Sequence, residues 1–483
     1  MKILFVSMEV VPFAKVGGLG DVAGSLPKAI SHLGHDIRVI LPLYRNIREK
    51  FNVKPAGGGI DIKVAGKIEK TSLFQTNLPG SKAIAYFVAN KHYYDRDGIY
   101  GDNGGDYPDS LERYTHFSKA VIECIKSIDW KPDVVHCNDW QSALIVMYLK
   151  TVHKDDPFYR DTAVVYSTHN MGYQGIFEPE KLDIIGVTKK EFAKSPLNHE
   201  GKINVAKAAF TYADLISTVS EKFSEEIQTP EYGYGLDPVV KARAKDVSGI
   251  LNGLDYELWD PKTDKHIAKD FSADDMSGKA EDKKDLQKIK GLPVDEKPPL
   301  IGIVSRLVDQ KGFDILAEAM PAIMKMNVQF VILGTGESKY HKMFSDFHEK
   351  YPKKLALDLK FDAALAQKIY AGSDMFLMPS NYEPCGLGQL ISYSYGTIPV
   401  VRKTGGLADT VIDCSSGSKG CGFVFEKYSP QALTKKMKEA VDMFNKKKEW
   451  QELMRKVMGF RYTWDVSAEK YIELYNRAIK KIK

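Results

Sequence analysis

Where glycines, cations and carboxylates fall together in this 483-residue chain, the chemistry they allow is the handling of a phosphorylated ligand. The first such place is Glu9-Val-Val-Pro-Phe-Ala-Lys15-Val-Gly17-Gly18-Leu-Gly20-Asp21, directly after an apolar run and ahead of a helical pattern. Glycines let backbone N–H groups approach an anion, the coming helix N-terminus adds partial positive charge, and Lys15 supplies a mobile cation. Together they would cradle a phosphate. No G-x-x-x-x-G-K-[ST] order occurs, and Gly18-x-Gly20-x-x-x-Gly24 misses the dinucleotide fingerprint by one residue, so P-loop ATPase and NAD readings lose support. The plainer reading of the same residues is a tight turn with a surface lysine.

Three further loops share this character. Ser305-Arg306-Leu-Val-Asp-Gln-Lys311-Gly312 places two cations five residues apart. An arginine fork beside a lysine point charge suits a diphosphate that no metal neutralises; a solvated charged turn is the alternative. Pro379-Ser-Asn-Tyr-Glu383-Pro-Cys385-Gly386-Leu387-Gly388-Gln389 joins a carboxylate, suited to sugar hydroxyls, to a small-residue turn at a predicted helix start. Arg402-Lys403-Thr404-Gly405-Gly406-Leu407 offers further backbone donors. Asp95-x-Asp97 has the spacing of a metal-binding carboxylate pair, but the cationic loops already do a metal's work on a leaving diphosphate. No metal and no cofactor are expected.

Each loop needs a strand to aim it. Short β-branched runs alternate with helical patterns: Ile3–Val6, Asp36–Leu41, Asp133–His136, Ala163–Ser167 and Asp214–Val219, then Leu300–Val304, Val328–Leu333, Asp374–Met378 and Ile398–Val401. Their near-continuous apolarity implies strands buried on both faces, and the spacing leaves room for crossover helices. The expected fold class is α/β, two Rossmann-like, doubly wound parallel-sheet domains facing across a cleft. We place the first domain at 1–250, the second at 251–460, and a C-terminal helix at 461–483 packing back on the first domain. In that last stretch Ala468, Tyr471, Ile472, Tyr475 and Ile479 share one face. Pro27 should start or kink the first helix.

Composition narrows the class. Hydrophobic residues make up 43 % and charged residues 27 %, which excludes disordered, collagen-like and disulfide-framework chains. The net charge is +5, but residues 435–483 hold 14 Lys/Arg against 7 Asp/Glu, so the remainder sums to about −2. Lys/Glu interleaving there reads as a solvated helix face, not as a nucleic-acid or membrane patch. Five scattered cysteines without a C-x-x-C pair fit a reduced, cytoplasmic compartment. The N-terminal run MKILFVSMEV is too short for a signal and is not of transit type, so the expectation is a bacterial cytoplasm, or a plastid stroma if this is a mature plant form.

These residues carry a resemblance. Lys15-Val-Gly-Gly-Leu19, His136-Cys-Asn-Asp-Trp140, Thr168-His-Asn170, Ser305-Arg-Leu-x-x-Gln-Lys-Gly312, Glu383-Pro-Cys-Gly-Leu387 and Arg402-Lys-Thr-Gly-Gly-Leu-Ala-Asp-Thr-Val411 stand in the order found in bacterial glycogen synthases and plant starch synthases. The likeness spans essentially the whole chain and resembles the retaining glycosyltransferases of the GT-B fold. It implies transfer of α-glucose from ADP-glucose to the non-reducing end of an α-1,4-glucan, releasing ADP. By the same resemblance Lys15, Arg306 and Lys311 would bind the diphosphate, with Gly17 and Gly18 beside the donor and Thr404, Gly405 and Gly406 around the phosphates. Glu383 would sit by the donor glucose, with Cys385, Gly386 and Leu387 lining its pocket. His169 matches a histidine whose backbone carbonyl faces the anomeric centre, flanked by Asp139 and Asn170. Phe361 would stack on adenine, against the plainer reading of a core phenylalanine, and Glu9 and Tyr100 match positions tied to the growing glucan.

One departure sharpens the likeness. The broad GT-B pattern of two glutamates seven residues apart would put its second at position 391, where this chain has Ile391, as the narrower synthase family also lacks it. Retention needs either a covalent intermediate on a carboxylate nucleophile or departure and attack on the same face. With no carboxylate standing out as nucleophile we favour the second, through an oxocarbenium-like state, with the β-phosphate oxygen of ADP accepting the proton, and the residues leave both routes open. UDP-glucose as donor, a small-acceptor GT-B transferase, and a non-catalytic glucan-binding partner are the competing readings. Intact Lys15, Arg306, Lys311 and Glu383 argue against the last, and a phosphorylase would be longer and need a pyridoxal phosphate lysine.

Overall fold

The computed structural model describes residues 1–102 and 105–483. It divides into two compact units, Met1–Gly253 with Trp464–Lys483, and Leu254–Thr463.

In the first unit, buried aliphatic runs form a parallel sheet in the spatial order Val247–Gly249, Leu215–Thr218, Ala163–Thr168, Val134–Asn138, Lys2–Val6, Asp36–Pro42 and Ile84–Ala89. Counted along the chain, that order is the 3-2-1-4-5-6 of a Rossmann sheet, with one strand added. The register pairs Ile3 with Ile37 on one side and with Val134 on the other. Beyond Ile84–Ala89 the sheet turns antiparallel through Lys67–Asn77, which also pairs with Ile60–Val64 and Lys54–Pro55. This extension escapes the periodicity, because strands with one solvated face carry Lys and Glu between their apolar residues, as Lys67-Ile-Glu-Lys-Thr does.

The first helix, Gly18–His32, runs unbroken through Pro27. Pro27 therefore neither starts the helix nor ends it. Gly24 lets the helix lie on the preceding loop, since a Cβ there would stand 2.6 Å from the Val11 carbonyl oxygen. The final helix, Trp464–Ile482, packs into the core of this unit through Trp464, Ala468, Tyr471, Leu474, Tyr475 and Ala478. Ile472 and Ile479, expected on the buried face, stand at its margin.

The second unit has a six-stranded sheet, all parallel, ordered Leu355–Asp358, Gln329–Leu333, Leu300–Val304, Met375–Met378, Ile398–Arg402 and Phe423–Phe425. Along the chain this is again 3-2-1-4-5-6. Each sheet therefore reverses its strand order once. The reversal lies between Lys2–Val6 and Val134–Asn138 in one unit, and between Leu300–Val304 and Met375–Met378 in the other. Beyond the carboxyl ends of such strand pairs the following loops diverge to opposite faces and leave a crevice, the preferred ligand site of open α/β sheets. No helix of the described residues is long and apolar enough to cross a membrane.

Candidate active site

All four glycine-bearing loops follow carboxyl ends of sheet strands. In the first unit the strand Lys2–Val6 runs into the loop that carries Glu9, Lys15, Gly17 and Gly18. Glu9 is 3 % exposed, and its Oε2 accepts hydrogen bonds from the Val16 amide at 2.5 Å and the Gly17 amide at 2.7 Å. Its Oε1 accepts from the Tyr100 hydroxyl at 2.6 Å. Two amides of the expected anion cradle thus already face an anion built into the chain. Burial and the Glu9 charge push the Tyr100 phenol well above its ordinary value, so it stays a donor. Lys15 pairs with Asp21 at 2.6 Å and is half exposed. Gly18 opens the helix with nothing within 4 Å of where a Cβ would stand.

Across the strand reversal, Val134–Asn138 delivers Asp139. This residue holds φ 56° and ψ 173°, a conformation that glycine tolerates and a side chain resists at about 1–3 kcal/mol. Bonds on both sides hold it there: its amide donates to the Ser167 carbonyl at 2.8 Å, and its Oδ1 accepts from the His169 amide at 2.7 Å. The imidazole of His169 is fixed in turn by Asn138, whose Oδ1 lies 2.9 Å from Nε2. Because the Asn138 Nδ2 is committed to the Val6 carbonyl at 3.0 Å, its oxygen faces His169 and Nε2 carries the proton. Burial pulls His169 down to about 4, with Glu9 opposing weakly, and pushes Asp139 up to about 7 against its bond to the His169 amide. The ring is neutral at physiological pH. Asn170 uses its Oδ1 to accept the Gly172 amide at 2.9 Å, which turns the chain just past the histidine. Both carboxylates of Asp95-x-Asp97 pair with the Arg45 guanidinium.

In the second unit Leu300–Val304 leads into the Arg306–Lys311 loop and Met375–Met378 into the Glu383 loop. Lys311 Nζ stands 2.6 Å from Glu383 Oε2, with side-chain exposures of 18 % and 7 %, and Ser380 adds its hydroxyl at 3.0 Å. The two loops are laced further by the Asn381 amide on the Gln310 carbonyl at 2.9 Å. Gly312 has φ 72°, and a Cβ there would lie 2.0 Å from the Pro379 carbonyl oxygen. Arg306 is exposed, and no described residue pairs with its guanidinium. A carboxylate that holds a lysine, on a loop laced to one that also carries an unpaired arginine, supplies the kinds of group that a diphosphate and a sugar hydroxyl need from a protein.

The loop after Ile398–Arg402 presses backbone to backbone on the Glu383 loop. A Cβ on Gly405, whose φ is 43°, would stand 2.0 Å from the Glu383 carbonyl oxygen, and one on Gly406 1.9 Å from that of Cys385. The Gly406 amide donates to the Glu383 carbonyl at 3.1 Å. Thr404 precedes the short helix Gly405–Thr410 and is buried. Cys385 is buried, Gly386 adopts φ 74°, and Leu387 leads into the helix Gly388–Ser394. Behind them the Gln389 amide donates to the Cys385 and Gly386 carbonyls at 3.2 and 2.9 Å. Phe361 lies just past Leu355–Asp358 and is 85 % exposed, which excludes a core role.

Motif reading passes over several residues that the structure adds. Asn138 orients His169, Ser380 supports Glu383, and the Gly334-Thr335-Gly336 turn after Gln329–Leu333 backs the Arg306 loop, with the Leu307 amide on the Thr335 carbonyl at 2.9 Å. A Cβ on Gly334 would stand 2.1 Å from the Ser305 carbonyl oxygen. The G-T-G run after an apolar strand was the available signal for that turn.

Two Rossmann-like sheets, each with cationic and glycine-rich loops at the carboxyl ends of its reversal strands, define a glycosyltransferase of the GT-B fold. Residues 2–242 match the family described as starch synthase catalytic domain, and residues 284–457 match glycosyl transferases group 1. The glycogen synthase of Geotalea uraniireducens is 46 % identical over 481 residues, covering 99 % of each chain. That of Thermotoga maritima is 44 % identical over 489 residues, covering all of both. Among solved structures, the catalytic domain of starch synthase IV from Arabidopsis thaliana, bound to ADP and acarbose, superposes with a TM-score of 0.91 at 31 % identity over 99 % of each chain. Sucrose-phosphate synthase from Thermosynechococcus elongatus shares the fold, with a TM-score of 0.60 at 16 % identity over 98 % of each chain. The chain belongs to the glycogen and starch synthases and is a glucosyltransferase of glycogen or starch synthesis.

Proposed function

We propose that the chain transfers α-D-glucose from ADP-glucose to the non-reducing end of an α-1,4-glucan, with retention of configuration and release of ADP. The observation that carries this reading is the pairing of Lys311 with the buried Glu383, with the exposed Arg306 on the same loop as Lys311, all on loops at a Rossmann strand reversal. Arg306 and Lys311 take the diphosphate and offset the charge that develops as it leaves. Lys15 adds a cation to the same group, with Gly17 and Gly18 beside the donor and Thr404, Gly405 and Gly406 supplying backbone contacts around the phosphates. Glu383 holds hydroxyls of the donor glucose, with Cys385, Gly386 and Leu387 lining the sugar.

The His169 backbone carbonyl faces the anomeric carbon, placed by Asp139 and Asn170. Phe361 stacks on adenine, which its exposure permits, and the solved relative bound to ADP supports an adenine nucleotide. Glu9 and Tyr100 serve the growing glucan. We assign the glucan to the first unit and the nucleotide sugar to the second, and read the five scattered cysteines as those of a cytoplasmic protein.

The test is nucleotide release from ADP-glucose and, separately, UDP-glucose, with and without a maltooligosaccharide primer, in the presence of a chelator. Primer-dependent ADP release that survives the chelator is expected. Lys15→Ala and Lys311→Ala should each cut kcat/KM for the donor by at least about tenfold, as loss of a charge-assisted contact implies; the melting temperature should hold in Lys15→Ala and fall in Lys311→Ala, which leaves the buried Glu383 carboxylate unpaired. Wild-type donor kinetics in both variants would remove the diphosphate assignment.

A further inference from the structure

We infer that Tyr100 and Arg113 are positioning residues for the Lys15–Gly18 loop and act on it through Glu9. The inference rests on the reading that this loop takes the donor. Glu9 is the hinge of the argument. Its one carboxylate spends Oε2 on the Val16 and Gly17 amides and Oε1 on the Tyr100 hydroxyl, 91 residues further along the chain. The group lies in the seam between the loop and the first helical turn, since a Cβ on Gly20 would stand 3.3 Å from its Oε2 and 3.2 Å from Lys15 Cγ. A carboxylate at a helix N-terminus is favoured by the helix dipole, so it holds the loop amides firmly. Where Glu9 sits then decides where Lys15 and the Gly17–Gly18 turn sit.

Glu9 carries an oxygen that the loop does not use, and Tyr100 pins it. Tyr100 has no rigid element of its own: it follows the short helix Lys91–Tyr94 in an irregular stretch. Arg113 supplies the anchor. This arginine is 1 % exposed on the helix Ser110–Ser127, and donates from Nε to the Tyr93 carbonyl at 3.0 Å and from Nη2 to the Ile99 carbonyl at 3.1 Å. Its guanidinium lies 4.7 Å from the ring centre of Tyr107 and 5.5 Å from that of Tyr114. Among the described residues no carboxylate forms an ion pair with it, and its Nη1 has no hydrogen-bond partner.

A buried cation held by carbonyl dipoles and ring faces, with the Asp109 charge reaching it only from beyond ion-pair distance, is costly, and a neutral side chain would fill the same volume more cheaply. What it secures is the path of the chain on both sides of the bend that ends at Tyr100. Arg113 therefore reaches the donor loop by three hydrogen-bonded steps, the first joined to the second through the Ile99–Tyr100 peptide.

The experiment compares Tyr100→Phe and Arg113→Gln in the full chain, with Lys15→Ala as the reference for the loop, measuring melting temperature, kcat, donor KM and glucan KM. Loss of one hydrogen bond to a charged group predicts a donor KM raised about tenfold or more in Tyr100→Phe, whatever happens to its glucan KM. Arg113→Gln should raise donor KM by a similar factor, whatever happens to its glucan KM, since it releases Tyr100 as well. A melting temperature near that of the wild type in Tyr100→Phe separates the effect from unfolding, and that variant carries the test alone if Arg113→Gln does not fold. A raised donor KM in Lys15→Ala with an unchanged one in Tyr100→Phe overturns the relay and leaves the donor-loop reading standing. An unchanged donor KM in Lys15→Ala overturns that reading and the inference with it.

Discussion

At the scale of single residues, the glycines separate two uses of a missing side chain. Gly405 and Gly406 are glycines because another backbone occupies the space, 2.0 and 1.9 Å from an imagined Cβ, whereas Gly18 has open space around it and no left-handed φ. Gly406→Ala should therefore push away the segment that carries Glu383, costing about 2–3 kcal/mol as overpacking does and abolishing most of the turnover. Gly18→Ala should change stability by less than about 0.5 kcal/mol, as a surface substitution does, yet raise donor KM if the donor lies against Gly18 as proposed. Urea unfolding and donor kinetics on the two variants check this, and a Gly18→Ala enzyme with wild-type donor KM would contradict the donor-facing role of that glycine. All four loops were legible from residue type and spacing. Which partner each side chain takes was not: Lys311 meets Glu383 although 72 positions separate them, and Phe361 stands in solvent where an aromatic after a strand is as readily core.

At the scale of elements, the terminal helix shows what hydrophobic periodicity reaches. It marks an amphipathic helix with a face to bury, and Trp464–Ile482 is one. The buried stripe nevertheless runs through Leu474 and Ala478 rather than Ile472 and Ile479, a rotation that depends on which grooves of the first helix receive it. Tyr475 on that stripe makes a bond that no pattern could announce. Its hydroxyl lies 2.8 Å from His136 Nδ1, while His136 Nε2 meets Ser167 Oγ at 2.6 Å, one strand over. The two strands joined in this way end in Asp139 and His169. Tyr475→Phe leaves a buried imidazole nitrogen unpaired and should cost about 1–3 kcal/mol by urea unfolding, with a lower kcat. A variant as stable as the wild type would show that the helix docks by its apolar face alone.

At the scale of the whole molecule, three of the 11 histidines are held neutral inside the first unit. Burial pulls His116 and His136 to about 3 and His169 to about 4. Each binds a proton in the unfolded chain below about pH 6.5 that the native state refuses, so stability falls as pH drops from about 6.5 toward 4. Asp139, raised by burial to about 7, works the other way, since the native state keeps a proton that the unfolded chain has lost. Three protons against one leave about two, and near pH 5 the slope should be roughly 2–3 kcal/mol per pH unit. Urea midpoints at pH 7.5, 6 and 5 measure it. A midpoint that does not move over this range would mean that these imidazoles are not excluded from protonation.

The sequence by itself determined the parallel sheets, the four loops at their strand ends and the family, because these are local properties: apolar runs buried on both faces, glycines where backbone must approach, cations where anions bind. It also bounded the two-part organisation, since the strand rhythm stops near Gly253 and begins again at Leu300. Tertiary structure decided the rest. The antiparallel extension at Lys67–Asn77, the strained Asp139, the Asn138 bond that sets the His169 tautomer, and the path from Arg113 through Tyr100 to Glu9 all join residues far apart in the chain. Hydrogen bonds of that kind depend on distances of a few ångströms between side chains whose separation only the packed core sets, and nothing in residue order carries that distance.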